Sequence, residues 1–430
     1  MSESFDVAVV GAGPAGSAAA LSAAKQGLRV LMLDRGERVG AKNLSGGMIL
    51  SRVLEQLAPD YAVTAPLERP VEHQRLMVVD GDRALTIDIG NAGFVGPPYN
   101  GFTVLRRRFD AWLAEQAAAA GAVVLSEAVV DDVITEGSQI VGIKVRGPDG
   151  DVRAKVVVLA DGVNSLLAKK AGLRGPQQAH DLSLGVKELL ALPKDAIEAR
   201  FGLAPGRGAA YAVIGDFLEG VRGGGFVYAN RETVSLGVVA PLTDLAALKV
   251  PADEVLERFK AIPGIARLIE GAKLLEYGAH LVPEGGRRAM PRVLGPGVLV
   301  AGDAAGLVVN TGLLMMGMNL AIDSGRCAGL AAAHAIAAGD VSASGLGEYR
   351  RLLGQSVGLS ALTAHRRAPD LLRRKRIFTW YPKLVNDLLQ DIVAVGPGRK
   401  DGLIKIARRH LSARQMMTVA ADVLKAARSL

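Results

Sequence analysis

Cysteine is almost missing from these 430 residues: Cys327 stands alone. One thiol closes no internal disulfide and cannot supply the four ligands of a cysteine-held zinc site or iron–sulfur cluster. No metal-ligand spacing and no Ser–His–Asp arrangement appears elsewhere, so no metal site is expected. Aromatic residues make up only 4 %, while half the chain is hydrophobic, the filling being Ala, Val, Leu and 52 glycines. Small aliphatic side chains suit helices laid close on sheets in a large α/β protein, and they argue against disorder. Long apolar runs are missing too. The start, "FDVAVVGAGPAGSAAALSAAKQG", is broken by Gly11, Gly13, Pro14 and Gly16, short of the roughly 20 apolar residues a membrane span needs. No charged-then-apolar leader precedes it, and a cytoplasmic location is expected. A chain of this length calls for two or three packed units.

Acidic residues are the scarcer charge, 43 against 51 Lys and Arg, for a net +8. The surplus gathers in 366–383, "RRAPDLLRRKRIFTWYPK", where seven cations face one acid, Asp370. Phe378, Trp380 and Tyr381 follow the cations Arg373 to Arg376. Aromatics beside cations suit an anionic membrane surface, each Lys or Arg contributing about 1 kcal/mol there. A face for a protein partner is the equal reading. Nucleic acid is not expected as a partner.

The opening segment, "FDVAVVGAGPAGSAAALSAAKQGLRVLMLDRG", reads as strand (6–10), tight turn, helix and second strand (29–33). Gly11, Gly13 and Gly16 fit the dinucleotide fingerprint: the first allows the turn, the second lets backbone approach a pyrophosphate, the third lets helix pack on strand. The helix amino terminus offers unpaired N–H groups to phosphate. Asp34 ends the second strand, at the distance from Gly16 where an acid accepts hydrogen bonds from ribose hydroxyls. This unit alone does not choose between NAD and FAD. A second glycine turn, Gly302, Asp303 and Gly306 in "GVLVAGDAAG", follows another buried strand at 297–300. Ligands of open α/β sheets bind at that edge. Two such turns far apart in sequence suggest one long cofactor held at two points, with a second nucleotide site as the competing reading.

With both turns in view, the chain resembles flavoproteins of the superfamily of aromatic hydroxylases, geranylgeranyl reductases and electron-transfer-flavoprotein:quinone oxidoreductases, and within it the FixC branch. The carrying segments are "GAKNLSGG", "VLRRRFDAWLAEQA", "VVLADGVNS", "GVKELLALP", "GGGFVYANRETVSLGVV", "EYGAHLVPEGG" and "VLVAGDAAGLVVNTGLLMMGMNLAIDSG". The resemblance implies non-covalent FAD, with Gly11, Gly13, Gly16 and Asp34 on its adenosine half, Arg106 nearby, and Asp303 at the ribityl and pyrophosphate region. Ala15, Arg35, Lys42, Ser45, Gly46, Val133, Asp161, Gly302 and Met316 complete the cofactor set. An acid beside a diphosphate needs hydrogen-bond donors, which ribityl hydroxyls supply; an N-terminal cap of the next turn is the alternative for Asp303. Arg106 also reads as a solvated helix start, and Asp161 as a plain strand-to-helix turn.

From about Gly317, Met318, Ile322, Gly325, Gly329 and Ala332 share one helical face that matches the small face of the first helix. Its amino terminus would aim at the flavin's pyrimidine edge and favour negative charge there by ~0.3–2 kcal/mol. The stretch 306–316 reads as the floor under the ring. Adaptable core packing is the alternative for Met315, Met316 and Met318.

The expected fold class is α/β. A Rossmann-like FAD domain of the glutathione-reductase type (1–72, 103–178 and 288–345) is joined by a smaller sheet-containing substrate domain (73–102 and 179–287) and a basic helical region (346–430). The family places quinone on the substrate domain. Gly224 and Gly225 would let backbone approach that flat ligand, with a β-bulge as the alternative. Tyr277, His280 and Glu284 form a cluster of proton-handling groups near the domain junction; His280 and Tyr277 are the catalytic candidates, against a purely structural histidine.

The resemblance implies an electron carrier that takes electrons from electron-transfer flavoprotein subunits and delivers them to membrane quinone. The single-chain quinone oxidoreductases carry a cysteine-bound iron–sulfur domain that this chain lacks. A separate ferredoxin-like subunit is therefore implied, as in Fix-type complexes where electron bifurcation can occur, together with a peripheral place on the cytoplasmic membrane. Two other functions compete: a self-sufficient FAD-dependent reductase or monooxygenase of a prenyl or aromatic substrate, and a non-catalytic flavin-fold assembly subunit.

Overall fold

The computed structural model describes residues 4–43, 46–147, 150–217, 220–395 and 401–429. Its first sheet has eight strands. Five of them run parallel in the spatial order Val298–Val300, Asp151–Leu159, Ser4–Val10, Val30–Leu33, Val123–Leu125. Strands covered on both faces need continuous apolar sequence, and "VAVV", "VLML" and "VVVL" supply it: Val7, Val9, Val30, Met32, Val156 and Val158 are all fully buried. A parallel sheet must return each strand through a crossover, and the helix Pro14–Ala24 makes the first one. Every residue of that helix is buried, which explains why its sequence is so rich in alanine.

The helix Met318–Ala337 lies on it. A β-carbon on Gly325 would stand 2.0 Å from the Ala15 carbonyl oxygen, and one on Gly329 2.4 Å from that of Ala19. The two backbones touch because these positions carry no side chain. The expected small-residue face is thus the contact face.

A second sheet of nine strands runs Lys273–Pro283, Leu182–Ala191, Thr233–Pro241, Gly224–Ala229, Gly208–Gly215, Leu67–Asp80, Gly101–Val104, Gly47–Leu50, with Arg83–Gly90 paired to Leu67–Asp80. One face is covered by the helices Lys194–Phe201, Ala252–Lys260 and Pro263–Ile269 around Phe201, Phe259 and Ile265. The middle helix buries Val255, Leu256 and Phe259, with Asp253 and Glu254 in its first turn and Arg258 and Lys260 in its last, the arrangement its dipole favours. Gly225 belongs to this side. A β-carbon there would come within 2.2 Å of the Phe259 ring, so its missing side chain admits the phenylalanine, a residue whose burial contributes roughly 1.5–3 kcal/mol. Both pairings of its strand run without a register shift, and the expected alternative of a bulge does not hold.

The strand Leu67–Asp80 runs across the boundary expected at 72/73, and Gly47–Leu50 and Gly101–Val104 hydrogen-bond into the second sheet. Their side chains Ile49, Leu67, Phe102 and Val104 nevertheless pack into the first core. Hydrogen bonding and packing divide the chain differently here. The described part of 346–430 is built of helices, as expected, and no described helix is long and apolar enough to cross a membrane.

Two cations of the basic run are held from within, while Arg366, Arg367, Arg373, Lys375 and Lys383 are exposed. Arg374 donates to Asp422 at 2.6 Å, Arg376 grips the same carboxylate with two bonds of 2.5 and 2.7 Å, and the Tyr381 hydroxyl adds a fourth at 2.7 Å. These groups fasten the final helix, Ala413–Ala427, to the body.

Candidate functional site

Between the two sheets, at the carboxyl ends of the parallel strands, lies a cavity of about 750 Å³. Its floor is the first turn. Gly11 holds φ +96°, a left-handed conformation, with the Ala160 carbonyl oxygen where a β-carbon would go. Gly13 caps the helix Pro14–Ala24, and a β-carbon on it would meet nothing within 4 Å: the wall there is cleared for a ligand, against the positive end of a helix. Gly16 does not reach the cavity. Its role is packing, since a β-carbon would overlap the Gly11 carbonyl oxygen at 1.7 Å.

Asp34 closes this turn. Its two oxygens accept the backbone N–H groups of Ala12 at 3.0 Å and Gly36 at 2.8 Å, leaving further lone pairs on the cavity side. Ala15, Arg35, Lys42 and Gly46 also line the space; Ser45 lies outside the described residues.

At the other end stand Asp161, Asp303 and Arg106. One oxygen of Asp161 accepts from the Leu167 N–H at 3.1 Å; the other is buried without a hydrogen-bond partner among the described residues. Burial raises its pKa. Burial likewise raises that of Asp303, against the nearby charges of His280 and Arg106. Arg106 is not a solvated helix start: its guanidinium grips the fully buried Asp110 with bonds of 2.8 and 2.7 Å. Burial works against its charge, but Asp110 and Asp303 outweigh that and raise its pKa. Asn43 donates to the same Asp110, so this helix and the loop before Gly46 are joined by one carboxylate.

The floor expected from 306–316 contains a two-stranded ribbon, Val309–Asn310 with Met315–Met316. Gly312, Leu313, Leu314 and Met315 line the cavity, and so do Gly317, Met318 and Ala321 at the start of the helix Met318–Ala337. Met316 does not: it is buried in the first core, because alternate strand residues point to opposite faces.

The second sheet forms the facing wall. The strand Gly224–Ala229 alternates half-buried and buried residues, so Gly224, Phe226 and Tyr228 look into the cavity. The two rings are stacked, with centroids 4.9 Å apart, and burial pushes the Tyr228 hydroxyl up to about 12. Lys187 and His280 share this wall, and Glu284 closes its end, accepting from Ser183 at 2.5 Å and Asn310 at 2.8 Å. Burial raises the pKa of Glu284.

Three further expected residues stand elsewhere. Tyr277 is 48 % exposed and lies outside the cavity. Val133 is in the first core; the cavity is lined instead by Ala128, Val129, Val130 and Asp131. Gly302, at φ +66°, sits beneath the wall, its N–H donated to Ser324 at 3.0 Å. Sequence reasoning missed Lys187, Phe226 and Tyr228, although all three lie in segments that carried the resemblance. The alternation "GGFVYA" was the available signal for the two rings.

A dinucleotide flavin fits this space. Its volume is that of a ligand cavity. The open surface at Gly13, the unpartnered oxygen of Asp161 and the helix termini at Gly13 and Gly317 are features a phosphate-bearing, hydroxyl-rich ligand would satisfy.

Comparison with known proteins agrees. The profile of the FAD dependent oxidoreductase family matches residues 6–174, and that of the ETF-QO/FixC family C-terminal domain matches residues 368–430. Protein FixC of Salmonella typhi is 41 % identical over 422 residues, 98 % of each chain. The probable electron transfer flavoprotein-quinone oxidoreductase YdiS of Escherichia coli K12 is 38 % identical over 428 residues, covering 100 % of this chain and 99 % of the relative. Among solved structures, a geranylgeranyl bacteriochlorophyll reductase-like protein of Thermoplasma acidophilum superposes with a TM-score of 0.73 at 22 % identity, over 98 % of this chain and 99 % of that one; at that identity the likeness is one of fold.

Proposed function

The chain belongs to the ETF-QO/FixC family of FAD-dependent oxidoreductases, and from that premise we propose that it carries electrons from an electron-transfer flavoprotein to membrane quinone. The observation that carries this reading is the continuity of one cavity from the glycine turns to the Phe226–Tyr228 wall. FAD, when bound, supplies a centre that takes up a pair of electrons and releases them together or singly. The protein's own groups divide the remaining work. The helix terminus at Gly13 would hold phosphate, and the carboxylates of Asp34 and Asp303 would accept hydrogen bonds from ribose and ribityl hydroxyls. The Arg106–Asp110 pair keeps the Gly46 loop in place through Asn43. The amino terminus of Met318–Ala337, which lines the cavity, would present partial positive charge to a bound flavin ring. The stacked rings of Phe226 and Tyr228, beside Gly224, offer a flat apolar face to a quinone, and His280 and Glu284 stand within the same cavity for proton handling.

The reading includes a Fix-type complex with a ferredoxin-like subunit, with bifurcation as its finer form, and a peripheral position on the membrane. Support for the membrane side comes from the amphipathic helix Leu403–His410, where Leu403 and Ile404 are 68 % and 72 % exposed beside Lys405 and Arg408. Reconstitution tests the whole. The purified chain should show a flavin spectrum and little turnover with NADH and a soluble quinone, because its dinucleotide unit is taken by FAD. Adding the electron-transfer flavoprotein and ferredoxin-like subunits should restore NADH-dependent quinone reduction. Equal rates from the chain alone would sink the proposal in favour of a self-sufficient reductase.

A further inference from the structure

The strand Leu182–Ala191 turns Val186 and Glu188 towards the helices of the second unit and Gly185 and Lys187 towards the cavity. The arrangement around Lys187 is specific. Its partners on the two flanking strands are both glycine, Gly237 and Gly278. A β-carbon on Gly237 would stand 2.7 Å from the Lys187 β-carbon. A slot one side chain wide is thus kept for the lysine stem. The ammonium reaches across to the first unit and lies 3.4 Å from the Gly46 carbonyl oxygen, so it spans the seam where the flavin loop meets the aromatic wall. No other described lysine on the second sheet lines this cavity.

We propose that Lys187 donates a proton to a quinone carbonyl oxygen as the ring is reduced, a role that rests on the quinone reading above. The step balances as follows. FAD, when bound and reduced by the electron-transfer flavoprotein, would supply the electron pair, and the protons it carries in its reduced form would leave to solvent. One quinone oxygen forms an O–H bond as a Lys187 N–H bond breaks, and the second oxygen takes its proton from solvent. The neutral amine then recovers a proton from water. The surroundings suit a group that must work in both forms. Burial, then the charge of Arg106, depresses the Lys187 pKa to about 7, against Asp110 and Glu276, which raise it. His280 on the neighbouring strand, Tyr228 on the same wall, Lys42 on the loop, and Asp303 and Glu284 line the same cavity; Tyr277 stands on the neighbouring strand and Arg107 pairs with Glu276 beside it.

Two measurements on the FAD-loaded protein test this. Acetic anhydride labelling of the Lys187 amine, read by mass spectrometry from pH 5 to 10, should titrate near neutrality and be protected by saturating ubiquinone-1. Titration like a surface lysine, or no protection, overturns the proposal. In rapid-mixing experiments, the reduced flavin of Lys187→Met, checked for full FAD content, should be oxidised by ubiquinone-1 about 10²-fold more slowly than wild type or worse. The wild-type rate should fall as pH rises through about 7, when the donor form is lost, and this limb should vanish in the variant. Lys187→Arg should stay slow, because a guanidinium keeps its charge but does not release its proton. Recovery of the rate by arginine would mean that only charge near Gly46 matters and would overturn the proton role. If wild-type reduced flavin is not oxidised by quinone at all, the quinone reading itself fails. If wild type reacts and Lys187→Met reacts equally with the same pH profile, only the lysine assignment fails.

Discussion

Asp34 and Asp303 differ in what already holds them. Asp34 spends an oxygen on each of two backbone N–H groups within its own turn, so its loss loosens the turn as well as a ribose contact. Asp303 faces the cavity with its charge opposed by burial and favoured by His280 and Arg106. We therefore expect Asp303→Ala to fold yet bind FAD roughly 10- to 100-fold more weakly, the equivalent of one charge-assisted hydrogen bond, seen as flavin lost on gel filtration. Lys187 carries a stability signature independent of any ligand. Its folded pKa, about 7, lies below the ordinary lysine value of 10.5. The unfolded chain then binds more protons between those values, and stability contributed at this site rises with pH across that window. Lys187→Met removes the penalty, so it should stabilise the protein at pH 6 by about 1–4 kcal/mol and by clearly less near pH 10. Urea midpoints at the two pH values would show it, and an equal gain at both would count against a depressed pKa.

The contact between the helices Pro14–Ala24 and Met318–Ala337 reverses the usual effect of a glycine. In an exposed helix, glycine to alanine gains about 1 kcal/mol. At Gly325 the added carbon would meet the Ala15 carbonyl oxygen, and overpacking of this kind costs roughly 1–3 kcal/mol. Gly325→Ala should lower the urea midpoint and, by shifting the helix that caps the cavity, weaken FAD retention. Gly354→Ala is the control: it sits in the helix Glu348–Gln355 with nothing within 4 Å of the new carbon, and should be neutral or stabilising. Gly11 is intolerant of a side chain because a β-carbon would meet the Ala160 carbonyl oxygen, and Gly302 because its φ is left-handed and the Ala15 β-carbon stands 2.7 Å away, while Gly13 is open because a ligand, rather than protein, is expected there.

Across the molecule, charge takes part in holding the C-terminal helices. Asp422 takes two arginines and a tyrosine, and these neighbours, led by Arg376, depress its pKa to about 2 against the opposing effect of burial. Its contribution is present above the ordinary carboxylate pKa of 3.8 and is lost as pH falls towards about 2. Asp422→Asn should cost roughly 1–3 kcal/mol through its charge-assisted bonds and expose the final helix to limited proteolysis at neutral pH, while leaving the body of the chain intact. An unchanged cleavage pattern would show that apolar contacts alone suffice. The same network changes what a charge-removal experiment means: replacing Arg374 and Arg376 unlocks a helix before it weakens any vesicle binding.

Fold class and cofactor class were legible in the sequence because their signals are local. A strand, three glycines, a helix and an acid closing the next strand form one unit whose backbone geometry only glycine permits, and the small face of 318–332 could be read from helical periodicity alone. Sites that need two distant segments were not legible. The hold of Asp422 on Arg374 and Arg376 was not legible because that carboxylate lies 46 to 48 residues away on another helix. Met315 rather than Met316 faces the cavity because a strand reverses its face at every residue, so an error of one position moves a side chain to the opposite side; Gly224 and Gly225, which have no side chain to turn, both line it. Lys187 had no local mark at all. Its environment is made by glycines on two neighbouring strands, an arginine–aspartate pair on a helix and a loop from the other unit, and only tertiary pairing brings these together and removes the water that would otherwise keep a lysine charged.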